Sequence, residues 1–135
     1  VIMLDIDHFK RVNDRWGHHV GDEVLKAIAA ILTGTLRAHD LAGRWGGEEF
    51  LIALPGGTLA EGAQVAERIR KAVEALRVQV DGVEAAVTVS QGVSVFDPEL
   101  VREMDTAIKK ADQALYLAKD RGRNRVELGD EALLS

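Results

Sequence analysis

Two short turns limit how this chain can fold. Gly46-Gly47 joins the stretch Leu41 to Trp45 to the run Glu49 to Leu54, and Asp81-Gly82 separates Val78 to Val80 from Val83 to Val95. Glycine tolerates the positive φ of a tight hairpin, so each turn predicts antiparallel neighbours. Val1 to Ile6 is apolar and β-branched, ends among Asp5 and Asp7, and reads as a buried strand. Between the strands the apolar residues recur at helical spacing. Val24, Leu25, Ile28, Ile31, Leu32 and Leu36 mark a long helix from Asp22, its expected N-cap, to about Arg37. Thr58 caps a second, with Val65, Ile69, Ala72, Val73 and Leu76 inward. A third follows Pro98, with Met104, Ala107, Ile108, Ala111, Leu115 and Ala118 inward and Gly122 closing it. A short helix and then a loop fill "DHFKRVNDRWGHHVGD", and Val83 to Val95 is taken as one strand. The last strand spans about Asn124 to Leu128.

The order β-α-α-β-β-α-β-β-α-β suits an α+β fold, an antiparallel-rich sheet of the ferredoxin-like kind with helices on one face. At 135 residues the chain is one domain with enough material for a core. It opens inside an apolar run without an initiator Met, as expected of a piece cut from a longer protein. Its formal net charge is −5 and it has no Lys/Arg block, which argues against a nucleic-acid polymer as partner. A small phosphate ligand needs only a few local cations. There is no cysteine, so any metal must be held by oxygen or by the four histidines, which favours Mg²⁺, Ca²⁺ or Mn²⁺. With no signal peptide or long apolar run, the cytoplasm is the expected location, free or as the cytoplasmic domain of a membrane-bound sensor.

"RWGGEEF" places Glu48 and Glu49 side by side, and like charges in close quarters need a reason. If the first strand and the hairpin are neighbours, Asp5 and Glu48 meet across the sheet. Two carboxylates and a backbone carbonyl such as that of Ile6 then form a partial oxygen shell, completed by water and phosphate. The glycines would let a triphosphate approach bare backbone. Taken singly, each of these acids fits better as a solvated strand end or turn residue; taken as a set, flanked by apolar runs and Gly-Gly, they point to metal and phosphate. Asn13 and Asp22 suit helix caps. Lys119 and Arg123, at a helix C-terminus, suit the helix dipole. Asp112 falls on an otherwise apolar stripe and is expected to make structural hydrogen bonds.

"DIDHFKRVND", "GHHVGD", "RWGGEEF", "VSQGVS" and "ADQALYLAKDRGRN", in that order, resemble the successive signatures of the GGDEF family of bacterial diguanylate cyclases, here in a GGEEF variant. The resemblance spans about residues 1 to 126. It implies a palm-type sheet flanked by helices, as in nucleotidyl cyclases, and a single catalytic domain over 1–135 that lacks the family's usual N-terminal segment. It also implies condensation of two GTP into cyclic di-GMP with release of two pyrophosphates, by two such domains facing each other as a homodimer. An N-terminal sensory or receiver domain would complete the parent protein.

By the same resemblance, Asp5, the Ile6 carbonyl and Glu48 hold Mg²⁺ or Mn²⁺. Glu48 also accepts the proton, Glu49 supports the geometry and Lys10 steadies phosphate charge. Asn13 and Asp22 read guanine, His18 lies near the substrate, and Lys119 and Arg123 grip the triphosphate. "RAHD" falls where the family has its R-x-x-D product-inhibition site, so Arg37 and Asp40, with Arg68, would bind cyclic di-GMP. Trp45 stands where the family often has Tyr, and Gln91 where it usually has an apolar residue. The alternative function is an inactive domain that binds GTP or cyclic di-GMP as a receptor. A cyclase for mononucleotides fits less well, because of the guanine-reading pair.

Overall fold

The computed structural model describes residues 1–95 and 104–129. Its elements are β1 (Ile2–Ile6), α1 (Phe9–Trp16), α2 (His18–Thr35), β2 (Leu41–Arg44), β3 (Glu49–Ala53), α3 (Leu59–Ala75), β4 (Val78–Val80), β5 (Val83–Ala85), β6 (Val89–Val93), α4 (Met104–Asp120) and β7 (Arg125–Leu128). Five strands form one sheet in the order β2-β3-β1-β6-β7, and β4 pairs with β5 in a separate two-stranded ribbon. Among the described residues the β6–β7 pair of the main sheet runs parallel and its other pairs antiparallel.

All five residues of β1 are buried, which requires cover on both faces of the sheet. Ile2, Leu4 and Ile6 pack with Val24 and Ile28 of α2 and Ile69 and Val73 of α3. Met3 belongs to a second cluster with Ala107, Ala111 and Leu115 of α4. The expectation of helices on one face is therefore corrected: α4 covers the other. It lies close because its buried face is alanine-rich and β6 presents Gly92 to it. A Cβ at Gly92 would collide with the Ala111 carbonyl and the Leu115 backbone nitrogen. The helix ends in a Schellman pattern, with Gly122 N–H donating to Lys119 O (3.4 Å) and Arg123 N–H to Ala118 O (2.9 Å). Lys119 thus sits in the last turn, over the end of β1.

Several boundaries differ from expectation. The loop after α1 shrinks to Gly17, whose φ is 87°, and α2 begins at His18, so Asp22 lies inside the helix and is not its N-cap. The run Val83 to Val95 splits into β5 and β6, because Thr88 leaves the ribbon to accept the Asp7 N–H at its carbonyl (2.9 Å). Met104 is exposed at the start of α4. Asp81 and Gly82 have φ of 48° and 80°, as a primed hairpin turn requires. Gly46 and Gly47 do not use positive φ; instead Arg44 donates to the Gly47 carbonyl from Nη2 (2.6 Å) and Nε (3.0 Å). Pro98 lies outside the described residues.

Gln91, in the middle of β6, is fully buried, and its Nε2 donates to the Ala66 carbonyl on α3 (2.8 Å). Its Oε1 is buried and has no hydrogen-bond partner among the described residues. An unmatched buried acceptor offsets what the single bond contributes. Gln91→Met, of similar volume, is expected to leave stability unchanged or raise it by up to about 1 kcal/mol, read from denaturant unfolding. A loss larger than that would show that the bond seats α3 on the sheet.

Candidate active site

Register brings the acids together. Asp5 of β1 pairs with Glu49 of β3 on one side and Ser90 of β6 on the other, so all three side chains share the α4 face. Glu48 joins the same edge through its carbonyl, which accepts the Ile6 N–H (3.2 Å). Like charges directly across a ladder repel. Here the opposing charge comes from α4, where Lys119 Nζ donates to Asp5 Oδ2.

Burial pushes the Asp5 carboxyl above its ordinary value; Lys119 pulls it back, and Glu48 and Asp7 add to the rise. Burial also raises Glu49, with the charge of Asp5 next in effect. Asp112, expected to hydrogen-bond structurally, is instead exposed, and its charge acts on Glu49 across the α4–sheet interface.

Asp5, Ile6, Glu48, Lys119, Lys10 and Arg123 line one open cleft of about 200 Å³, together with Asp7, His8 and Phe9. Lys10 projects from the first turn of α1 and Arg123 from the turn after α4. Both are exposed, and neither side chain has a hydrogen-bond or ion-pair partner among the described residues. No Cβ-blocking atom lies within 4 Å of Gly47, so the hairpin offers bare backbone beside the acids. Among the described residues no three His, Asp or Glu side chains converge to hold a metal by themselves. Two partly buried carboxylates with excess negative charge, a nearby carbonyl and an open side do fit a hard cation that keeps water or phosphate in its shell.

Asn13 and Asp22 sit on adjacent helices, both within helical turns, so neither is a cap. Asn13 leans on Gly21, where a Cβ would overlap its Oδ1, and that oxygen is buried with no partner among the described residues. His18 opens α2, exposed, with no hydrogen bond to the acidic cluster. On a different part of the surface, Arg37, Asp40 and Arg68 line a groove of about 330 Å³ with Pro55 to Gly57. The Arg37 N–H donates to Asp40 Oδ2 (2.9 Å), tightening the R-x-x-D turn.

Two residues of weight carried no signal in the motif spacing. Asp7, 5% exposed, accepts from Thr88 Oγ1 (2.6 Å), Ser90 Oγ (2.7 Å) and the Asn124 N–H (3.0 Å). It knots the ends of β1, β6 and the α4–β7 turn. The hydroxyls at alternate positions 88 and 90 were the one visible hint. His8 holds a left-handed backbone, φ 56°, at the lip of the cleft.

Fold and cleft together define an α+β domain with a palm-type sheet, whose opposed acids and cations suit polyphosphate and a divalent cation. Residues 1–125 match the family described as diguanylate cyclase, GGDEF domain. The chain is 43% identical over 133 residues to "Diguanylate cyclase A" of Treponema denticola, covering 98% of this chain and 36% of that protein. It superposes with a TM-score of 0.87 and 35% identity on the GGDEF domain of DgcB from Caulobacter crescentus, solved with c-di-GMP, covering 96% of this chain and 76% of that one. It also matches the active GGEEF domain of a diguanylate cyclase from Vibrio cholerae, at TM-score 0.83 and 34% identity, covering 94% of this chain and 80% of the other. The chain belongs to the GGDEF family. It spans about a third of the length of the Treponema relative.

Proposed function

We propose that this domain is the catalytic part of a diguanylate cyclase, which joins two GTP into cyclic di-GMP as one half of a homodimer within a longer protein. The observation that carries the reading is the single cleft in which Asp5, Glu48 and the Ile6 backbone face Lys10, Lys119 and Arg123. In each half-reaction a 3′-hydroxyl oxygen bonds to the partner's α-phosphorus, and the bond from that phosphorus to pyrophosphate breaks.

Asp5, Glu48 and the Ile6 carbonyl would hold Mg²⁺ or Mn²⁺. The chemistry such an ion supplies when bound is polarisation of the α-phosphate, a lower pKa for the hydroxyl and charge neutralisation on the leaving group. Glu48, at the open edge, takes the hydroxyl proton. Glu49 keeps the row of acids in register beside Asp5. Lys119, paired with Asp5 in the cleft, supplies part of the positive field toward the triphosphate. Lys10 and Arg123, whose side chains have no partners among the described residues, bind the phosphate oxygens. With its Oδ1 buried against Gly21, Asn13 offers its amide NH2 to guanine acceptors, the Asp22 carboxylate accepts from guanine donors, and His18 closes that end of the substrate.

The test is the full-length parent with GTP and Mg²⁺, its products resolved by chromatography over a protein concentration series. Cyclic di-GMP should appear, with a rate rising faster than linearly because two domains must meet. GTP bound without product at every concentration would favour the receptor reading.

Arg37, Asp40 and Arg68 form the product-inhibition site in this proposal, since one groove lined by two exposed arginines and a carboxylate suits phosphates and guanine edges. Arg37→Ala is expected to weaken inhibition by added cyclic di-GMP about tenfold or more, leaving initial rates unchanged. An unaltered inhibition curve would remove the assignment.

A further inference from the structure

Arg123 depends on a device that the catalytic reading does not use. Arg123 and Asn124 are consecutive residues in the left-handed region, with φ of 64° and 47°. Such a pair persists only when its surroundings over-determine it. On one side the Arg123 N–H closes α4, and the Asn124 N–H donates to the buried Asp7 carboxylate. On the other side the clamp comes from α3. Arg70 Nη1 donates to Asn124 Oδ1 (3.0 Å), and Asn124 Nδ2 donates to Glu74 Oε2 (2.5 Å). Arg70 is itself fixed by Glu67, to which Nε (3.0 Å) and Nη2 (2.5 Å) both donate.

The Arg70 side chain is 16% exposed, so this is a partly sheltered network and not a solvated surface pair. Arg70 stands 54 residues before Asn124, and Asp7 117 residues before it. Three distant segments thus meet on the turn that carries a phosphate-binding guanidinium.

We propose that Arg70 and Asn124 are positioning residues for the nucleotide's phosphate chain: they lock the 123–124 turn so that Arg123 is presented to the cleft before substrate arrives. The assignment rests on the cyclase reading, in that it takes GTP as the ligand. A preset cation spares the ordering cost that a free arginine would incur on binding. Arg70 touches neither substrate nor metal and acts only through Asn124 and Arg123.

The experiment measures GTP binding by titration, and KM and kcat, on the full-length protein. The variants are Arg70→Ala, Arg70→Lys, Asn124→Gly and Arg123→Ala, with Arg123→Ala also combined with each of the first three. Asn124→Gly removes the clamp while keeping a residue at ease with positive φ, so it carries the test if Arg70→Ala fails to fold. Arg70→Ala and Asn124→Gly are each expected to weaken GTP binding about tenfold, with KM rising more than kcat falls. Arg70→Lys, keeping one donor for Asn124, should recover part of the loss. Over Arg123→Ala the same substitutions should cost almost nothing, because the group they position is gone. Guanosine binding should not change.

Unchanged GTP affinity in folded Arg70→Ala and Asn124→Gly would overturn the positioning role, and so would penalties that add in full to that of Arg123→Ala. A wild-type protein that binds no GTP would overturn the cyclase reading itself, which the wild-type titration shows before any variant is made.

Discussion

Glu48→Gln is expected to lower turnover by about a thousandfold or more while the fold stays intact. The substitution keeps shape and volume and removes one negative charge and one proton acceptor. Glu48 is half-buried at the rim of the cleft, and its side chain has no hydrogen-bond partner among the described residues, so little structure depends on its charge. Its carbonyl, which accepts the Ile6 N–H, is unaffected. Loss of a general base alone costs about 10²–10⁴ in rate, and a weakened metal site adds to that. GTP should still bind through Lys10, Arg123, Asn13 and Asp22. The measurement is cyclic di-GMP formation at saturating GTP and Mg²⁺, beside a melting curve. A variant that turns over at the wild-type rate would take Glu48 out of the chemistry and the metal assignment with it.

The route from sequence to this site was legible where the physics is local. Hairpin turns, helical periodicity and the Thr58 cap, whose Oγ1 accepts the Glu61 N–H (3.1 Å), are set by residues a few positions apart. The meeting of Asp5 with the glycine hairpin followed from strand adjacency, although the register sets Glu49 opposite Asp5 and leaves Glu48 beside Ile6. What periodicity does not encode is the side of the sheet a helix will choose. The apolar stripe of α4 looks like that of α3, and only the unbroken apolar run of β1 hinted that both faces needed cover. The contact of Lys119 with Asp5 was therefore not legible, because it depends on α4 lying above the end of β1. The Asp7 knot and the Arg70–Asn124 clamp were silent for the same reason: their partners lie far apart in sequence and share no repeat.

Asp5→Asn is expected to abolish cyclic di-GMP synthesis and, in the presence of EDTA at pH 7, to raise the melting temperature. The two effects have one cause. Asp5 is 5% exposed, sits opposite Glu49 and feels Glu48 and Asp7, with Lys119 as the cation in contact. Burial raises its pKa above the ordinary value, so the folded protein holds the Asp5 proton more tightly than the unfolded chain does. The stabilisation that follows is fully present below the unfolded value of about 3.9 and is lost as pH rises through the folded one. At neutral pH the ionised carboxylate is thus a cost to the metal-free fold, which a neutral amide removes. Lys119 keeps enough exposure to turn toward water once its partner is gone, so the broken pair returns little of that gain. The advantage of the variant should shrink as pH falls through the raised value of the folded state, where Asp5 takes up its proton. With Mg²⁺ and a non-hydrolysable GTP analogue the order should reverse, because ligand binding stabilises the protein that can hold the ion. If Asp5→Asn melts below wild type in EDTA at pH 7, the Lys119 pair outweighs burial, and the acidic row is held together by structure without need of a metal. If it melts above, the burial of an ionised Asp5, with the repulsion of Glu48 and Asp7 added, is a standing cost to the metal-free fold that a divalent cation relieves.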